Sequence, residues 1–304
     1  MTPMAPPLSC AGFVSDARSD VYHRYRKLIR RPGPLAAVAV VALLSGCGAA
    51  TMAAAPESAP SPPTAAGGLP QGGEPFELDP ADFTTAIDNP YWPMVPGSTW
   101  VYTETDGEGT AEDITVEVLA ETKKIANGIE ARVVRDTATQ DGVAVEATDD
   151  WYAQDGKGNI WYLGEYVTNY SDGKVVDHAG SFEAGVGGAL AGVAMPADPV
   201  AGMSYRQEYS KGEAEDRGAV VTVGEEKVEV PFGFFDKGVL MTRDLVPTEP
   251  KAEELKFYAP GIGPLLSLHL DRPYGRAVLV SYTPGRVTVR PGGPTLPSTE
   301  PGSR

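Results

Sequence analysis

Residues 150–164, Asp-Trp-Tyr-Ala-Gln-Asp-Gly-Lys-Gly-Asn-Ile-Trp-Tyr-Leu-Gly, read as a β-hairpin. Gly156-Lys157-Gly158 makes a three-residue loop in which Gly158 supplies the left-handed conformation such a loop needs. Asp155 is placed to accept backbone N–H groups at the turn. The register that follows sets Gln154 against Ile160, Ala153 against Trp161, Tyr152 against Tyr162 and Trp151 against Leu163. One face then carries Trp151, Ala153, Trp161 and Leu163. The other carries Tyr152, Gln154, Ile160 and Tyr162. A hairpin that is aromatic on both sides needs two neighbours: either a core and a covering loop, or a core and a groove lined by the tyrosines.

The same period of two continues along the chain. Ile114, Val116 and Val118 alternate with Thr115 and Glu117, and Leu266, Leu268 and Leu270 alternate with Ser267 and His269. Asp106-Gly, Asn127-Gly, Asp141-Gly and Asp172-Gly punctuate these runs as turn signals. The pattern predicts one all-β domain over residues 76–283, an antiparallel sandwich or an open barrel-like sheet. Ser181–Pro199 (SFEAGVGGALAGVAMPADP) breaks the alternation. It is expected to be a long apolar loop folded over the Tyr152/Tyr162 face.

Upstream, Arg24, Arg26, Lys27, Arg30 and Arg31 precede the uncharged run Leu35–Leu44, which ends in Leu44-Ser-Gly-Cys47. Basic, apolar and then small residues form the layout of an export signal, here residues 1–46. The apolar run is short of the roughly 20 residues that span a bilayer. Leu-Ser-Gly-Cys resembles the lipobox of bacterial lipoproteins, which implies lipidation of Cys47 and a palmitate-type acyl anchor in the cell membrane, on its extracytoplasmic side. Residues 47–75, rich in Ala, Pro, Gly and Ser, then serve as a flexible tether, and residues 284–304 as a disordered tail.

The chain has a formal net charge of −16. Without residues 1–46, which hold six basic and two acidic side chains, 19 basic residues stand against 39 acidic ones, a net charge of −20. Such a surface repels nucleic acid and anionic headgroups, so no nucleic-acid partner is expected, and membrane contact falls to the lipid anchor. Beyond Cys47 there is no cysteine, hence no disulfide in the domain.

The chemical constellations are sparse. His178 and His269 have no second ligand at metal spacing, so no metal and no cofactor are expected. Asp155-Gly-Lys-Gly-Asn159 lacks the closing glutamate of a calcium loop and reads as a turn. No nucleophile elbow and no phosphate loop is present. Carboxylates abound, and Glu213, Glu215 and Asp216 cluster, but no catalytic pair is assignable from spacing alone.

Four segments together resemble a group of uncharacterised exported bacterial proteins, many of them lipoproteins. They are Asp88-Asn-Pro-Tyr-Trp-Pro-Met-Val-Pro-Gly-Ser-Thr-Trp100, the hairpin Trp151–Tyr162, Ser181-Phe-Glu-Ala-Gly185 and Lys256-Phe-Tyr-Ala-Pro-Gly-Ile-Gly263. The resemblance implies a shared all-β fold and carries no catalytic residue. The expected role is a non-enzymatic ligand-binding or scaffold module of the envelope, with an apolar ligand or an envelope protein as partner. Tyr152, Tyr162, Gln154 and Glu183 are its candidate binding residues. The alternative is an enzyme acting on cell-wall glycan through acidic residues. A cavity with convergent carboxylates would favour the enzyme, and an apolar cavity would favour binding.

Overall fold

The computed structural model describes residues 68–106, 110–212, 214–248, 250–271 and 274–286; Cys47 and Glu213 lie outside them. The first half contributes β1 (Phe83–Thr84), β2 (Thr99–Thr105), β3 (Ala111–Lys124), β4 (Glu130–Gln140), β5 (Val143–Asp155), β6 (Ile160–Ser171), β7 (Lys174–Asp177) and β8 (Phe182–Glu183). The second contributes β9 (Leu190–Met195), β10 (Ser204–Arg206), β11 (Glu208–Tyr209), β12 (Arg217–Val230), β13 (Gly233–Leu245), β14 (Glu253–Ala259), β15 (Gly263–His269) and β16 (Arg276–Thr283). The only helical turn among the described residues is Pro80–Asp82, capped by the Asp79 side chain.

All strands join one antiparallel sheet in the order β10-β12-β13-β14-β15-β16-β2-β3-β4-β5-β6-β9-β11, with β1, β7 and β8 attached beside this path. Its two end strands are consecutive in the chain, separated by Gln207 alone. The backbone therefore steps from one edge of the sheet to the other and nearly closes it into a barrel, which removes the exposed edges an open sheet would present. The Gln207 and Glu208 amides both donate to the Asp216 carbonyl at this seam. Gly192 of β9 makes the approach possible, since a Cβ there would stand 2.1 Å from the Gln207 carbonyl oxygen. Arg206 then clamps the seam from a site 2% exposed. Its Nε and Nη2 donate to the Ala191 carbonyl, and Nη1 donates to the carbonyls of Gly72 and Glu74.

Those last two acceptors lie in the segment read from the sequence as tether. Ordered contacts begin earlier than Phe76: the Pro70 carbonyl accepts from the Arg206 amide, and the Gln71 side chain bonds Ser204. From there the chain runs over the outer face of the hairpin, placing Phe76 and Phe83 at 5.3 and 6.1 Å from Trp161.

The hairpin keeps three of its four expected pairs: Gln154 with Ile160, Ala153 with Trp161 and Tyr152 with Tyr162. Asp155 accepts from the amides of Lys157 and Asn159 and from the Trp161 indole at 2.9 Å each, and Gly158 has φ +96°. The fourth pair is replaced by a bulge. Asp150 faces Glu165, and Trp151 alone stands against Leu163 and Gly164. The two faces also divide differently from a core under a loop. The tyrosines look into the barrel, and the tryptophans pack outward under the N-terminal segment, with the Lys123 ammonium 3.9 Å above the Trp151 ring.

Ser181–Pro199 is not a loop over the tyrosines. It supplies β8 and β9, which pair with β6 edge to edge. Glycine pairs and small side chains obscure the alternation there, because β9 must lie close to the seam. Phe182 turns back to the tyrosines, edge-on to Tyr162 at 5.6 Å. The apolar core fills one end of the barrel, where Trp100, Val118, Leu240, Leu265 and Leu279 are almost wholly buried.

Candidate binding site

The inward positions of each strand change character along the barrel. In β2 they are Trp100, Tyr102 and Glu104; in β3, Glu112, Ile114, Val116 and Val118; in β5, Glu146, Thr148, Asp150 and Tyr152. Aromatic and aliphatic groups give way to carboxylates in the same phase. Between them lies a cavity of about 380 Å³, within the range of small-molecule sites.

Among the described residues its lining includes Glu104, Glu165, Glu208 and Glu254, Asp136, Asp150, Asp216 and Asp244, together with Lys256 and His269. Aromatic rings form the other wall: Trp92, Trp100, Tyr102 and Tyr152. Trp92 arrives on the loop Asp88–Pro93 and sits 5.5 Å from Tyr152 and 6.2 Å from Tyr258. The loop is held by Asn89, whose side-chain Nδ2 donates to the carbonyls of Gly158 and Pro196, and by Gln154, whose Oε1 accepts from the backbone amides of Asp88 and Asn89.

Lys256 lies between two acids, 2.7 Å from Asp244 Oδ2 and 3.2 Å from Glu254 Oε2. Burial alone would lower its pKa, but Asp244 and Glu254 outweigh this and hold the ammonium well above its usual value. Burial pushes the Asp244 carboxyl up, against the pull of Lys256. His269 stands with Nε2 at 3.2 Å from Glu104 and Nδ1 at 3.7 Å from Glu254. On the facing strands β5 and β6, Asp150 stands directly opposite Glu165. The Tyr162 hydroxyl donates to Asp150 Oδ1 at 2.7 Å. Burial raises the phenols of Tyr152 and Tyr162 well above the usual value, and the Asp150 and Glu165 charges add to it.

The four binding residues expected from the sequence are only partly brought together. Tyr152 lines the cavity, and Tyr162 stacks behind it at 5.0 Å. Gln154 is occupied with the Trp92 loop. Glu183 is bound to Lys123 Nζ and the Ala126 amide, and it is not among the residues lining the cavity. Of the acidic cluster, Asp216 reaches the cavity, and Glu215 accepts from the Gly212 amide. The inner carboxylates escaped the sequence reading, although their phase was visible: Glu104 follows Trp100 and Tyr102, and Glu112 precedes Ile114 and Val116. No group of three or more acids, histidines or cysteines able to hold a metal ion occurs among the described residues.

No protein-family model matches the chain, and no curated protein matches it. Two solved structures match over part of the chain. A candidate exported protein with a YmcC-like fold from Bacteroides fragilis has 17% identity and a TM-score of 0.39, over 64% of this chain and 99% of its own. A candidate lipoprotein from Parabacteroides distasonis has 13% identity and a TM-score of 0.35, over 64% of this chain and all of its own.

Proposed function

We propose that the protein is a lipid-anchored envelope module that binds a small molecule inside its barrel. The observation carrying this reading is the cavity itself: a space of about 380 Å³ walled by rings on one side and ionisable groups on the other, inside a sheet that nearly closes on itself. A scaffold would need no such interior. The export layout before Cys47 supports the anchor, and its acyl chains would hold the domain at the membrane. The partner expected from the sequence was an apolar ligand or an envelope protein. The carboxylates in the cavity instead favour one with a polar or charged part.

Native mass spectrometry of the full chain purified from its own envelope tests the binding reading. A bound small species is expected on the wild type and not on Ala277→Phe, which fills the cavity. Identical spectra for both would overturn it. For the anchor, an alkyne fatty acid fed to growing cells should label the wild type and not Cys47→Ala; equal labelling of both would end that part.

One observation favours a second reading, the glycan-acting enzyme: the Asp150/Glu165 pair faces the cavity, and paired carboxylates are what glycoside cleavage uses. Release of reducing ends from wall glycan by the wild type, abolished in Asp150→Asn, would establish it.

A further inference from the structure

We propose that the barrel rests on the membrane by one end, with Phe232 and Phe234 of the β12–β13 turn inserted among the lipids. This rests on the reading of Cys47 as a lipid anchor. The first observation is where the chain enters the fold. Every pairing along the sheet is antiparallel, so successive turns alternate between the two ends of the barrel. The β3–β4, β5–β6, β12–β13 and β14–β15 turns share one end, with the start of β2 and the end of β16. Gly68 and Leu69 reach that same end, where they line a groove with Gly156 and Lys157 of the β5–β6 turn and with Pro196 and Ala197 after β9. Residues 48–67 separate Cys47 from Gly68. An anchor at Cys47 therefore joins the domain at this end.

The second observation, independent of the anchor, is the distribution of charge. Four runs without an acidic or basic side chain, 89–103, 230–235, 257–268 and 277–285, pass through this end. They touch one another. The Phe232 amide donates to the Leu279 carbonyl, the Phe232 ring lies 6.4 Å from Tyr282, and Tyr282 stacks on Trp100 at 5.2 Å. A Cβ on Gly263 would stand 3.0 Å from the Trp92 ring, so the β14–β15 turn closes on the same group. Yet 22% of the chain is charged. The turns of the opposite end show it, with Asp141, Asp172, Glu215 and Asp271. The barrel interior is graded the same way, apolar around Trp100 and acidic at Glu104 and Glu112. Hydrocarbon beside the uncharged end and water beside the acids costs the least desolvation.

The third observation is the turn itself. Phe232 is 36% exposed and Phe234 60%. Val228, Val230 and Phe235 supply the turn's contacts with the core, and most of the Phe234 ring is left to the surroundings. Lys227, Glu229, Asp236 and Lys237 flank the turn, and their charges sum to zero. A neutral tip with exposed rings gains from burial in lipid in proportion to its apolar area, with no help from anionic headgroups. The acidic remainder of the domain is repelled by such headgroups. The surface recognised is therefore a zwitterionic one.

The test places a nitroxide label at the turn. In the full chain with Cys10→Ser, Phe234→Cys or Phe232→Cys leaves the introduced thiol as the only free one once Cys47 is acylated. Val143→Cys, beside the Asp141-Gly142 turn and 52% exposed, reports the opposite end. At such exposed positions the melting temperature should stay close to that of the wild type. The acylated chain is reconstituted into phosphatidylcholine vesicles. Each label is then relaxed with oxygen, which concentrates in lipid, and with a nickel chelate, which stays in water. The ratio of oxygen to nickel effect should be several-fold higher at 232 and 234 than at 143. Water-like ratios at all three positions, with Cys47 acylated, would overturn the inference and leave the anchor standing. A lipid-like ratio at 143 alone would overturn it by reversing the orientation. Low access of both relaxants at 234 would mean that protein covers the turn, and would overturn it as well. Should mass spectrometry find Cys47 unacylated, the same labels are read with Cys47→Ser added, on vesicles supplied from outside. A lipid-like ratio at 234 would then sustain the surface without the anchor, and a water-like one would remove both.

Discussion

Arg206 Nε and Nη2 converge on one acceptor, the Ala191 carbonyl, at 3.1 and 2.8 Å. This links β10, which pairs with β12, to β9 at the other end of the sheet. The same guanidinium reaches the carbonyls of Gly72 and Glu74, so one side chain holds three segments. Burial lowers its pKa, with Glu74 opposing, yet an arginine keeps its charge at any ordinary pH. Arg206→Met should leave these carbonyls without their donor and cost more than about 3 kcal/mol, since four charged hydrogen bonds are lost and each is worth roughly 1.5–3 kcal/mol. Denaturant unfolding measures the loss. Hydrogen exchange should accelerate first in Leu190–Met195 and Ser204–Tyr209; uniform acceleration would deny the seam its special place.

Alkaline titration probes the barrel interior from another side. Burial raises the phenols of Tyr102, Tyr152, Tyr162, Tyr205 and Tyr258 above the usual value of 10.0. A group whose pKa is raised in the folded state stabilises it fully below the unfolded pKa and loses that contribution as pH rises through the folded one. Stability should therefore fall steeply above pH 10. Tyrosinate absorbance of this buried set is expected to appear together with unfolding. A single stage near the ordinary value would contradict the burial.

How much of this was readable beforehand depends on whether the controlling contact was local. The turn at Asp155–Asn159 was legible because its hydrogen bonds close within a few residues, and with it came three cross-strand pairs. The bulge at Leu163-Gly164 was not. It is imposed by β8, whose Phe182 carbonyl would lie 2.4 Å from a Cβ on Gly164, and that approach is set by chain distant from the turn. Its effect is large, since one extra residue re-aims everything after it. Glu165 is thereby turned inward opposite Asp150, and Tyr166 outward, where it is 47% exposed. The seam was hidden for a similar reason: nothing in Ser204–Tyr209 announces that one short run pairs with two edges. All-β character, by contrast, was written in every strand.

Lys256 offers a prediction with a worked sign. Lys256→Met leaves Asp244 and Glu254 facing one another without their cation. The loss at neutral pH should be about 2–3 kcal/mol, below the roughly 3–5 kcal/mol of a fully buried pair, because the lysine side chain keeps 32% exposure. The Asp244 carboxyl, already raised above 3.8 by burial, should rise further without the lysine. A raised carboxyl pKa stabilises the fold at low pH and loses that contribution as pH climbs through the folded value. The variant should thus approach the wild type in acid and fall behind toward neutrality. Melting curves across that range check it; a gap independent of pH would show that the lysine acts through packing alone.

Tyr152 separates the wall of the cavity from the core of the fold. Its ring lies 5.0 Å from Tyr162 and 5.5 Å from Trp92, and the residue is 8% exposed. Tyr152→Ala removes a buried ring from between two others and should cost about 3 kcal/mol, at the lower end for large-to-small aromatic changes because one side of the ring already faces open space. Tyr152→Phe keeps the ring and should cost under about 1 kcal/mol. Trp92→Ala should cost less than Tyr152→Ala, since its loop remains tied by Asn89 and Gln154 and the indole is already partly exposed. It should nonetheless reduce retention of the cavity's small species as strongly, because both rings face the same space. Denaturant unfolding and native mass spectrometry on the same three variants check the two effects. Tyr152→Phe should be the most stable, Trp92→Ala intermediate and Tyr152→Ala the least, while Tyr152→Phe alone keeps the ligand. Retention of the species by Trp92→Ala and Tyr152→Ala alike would show that the aromatic wall serves the fold and not the site.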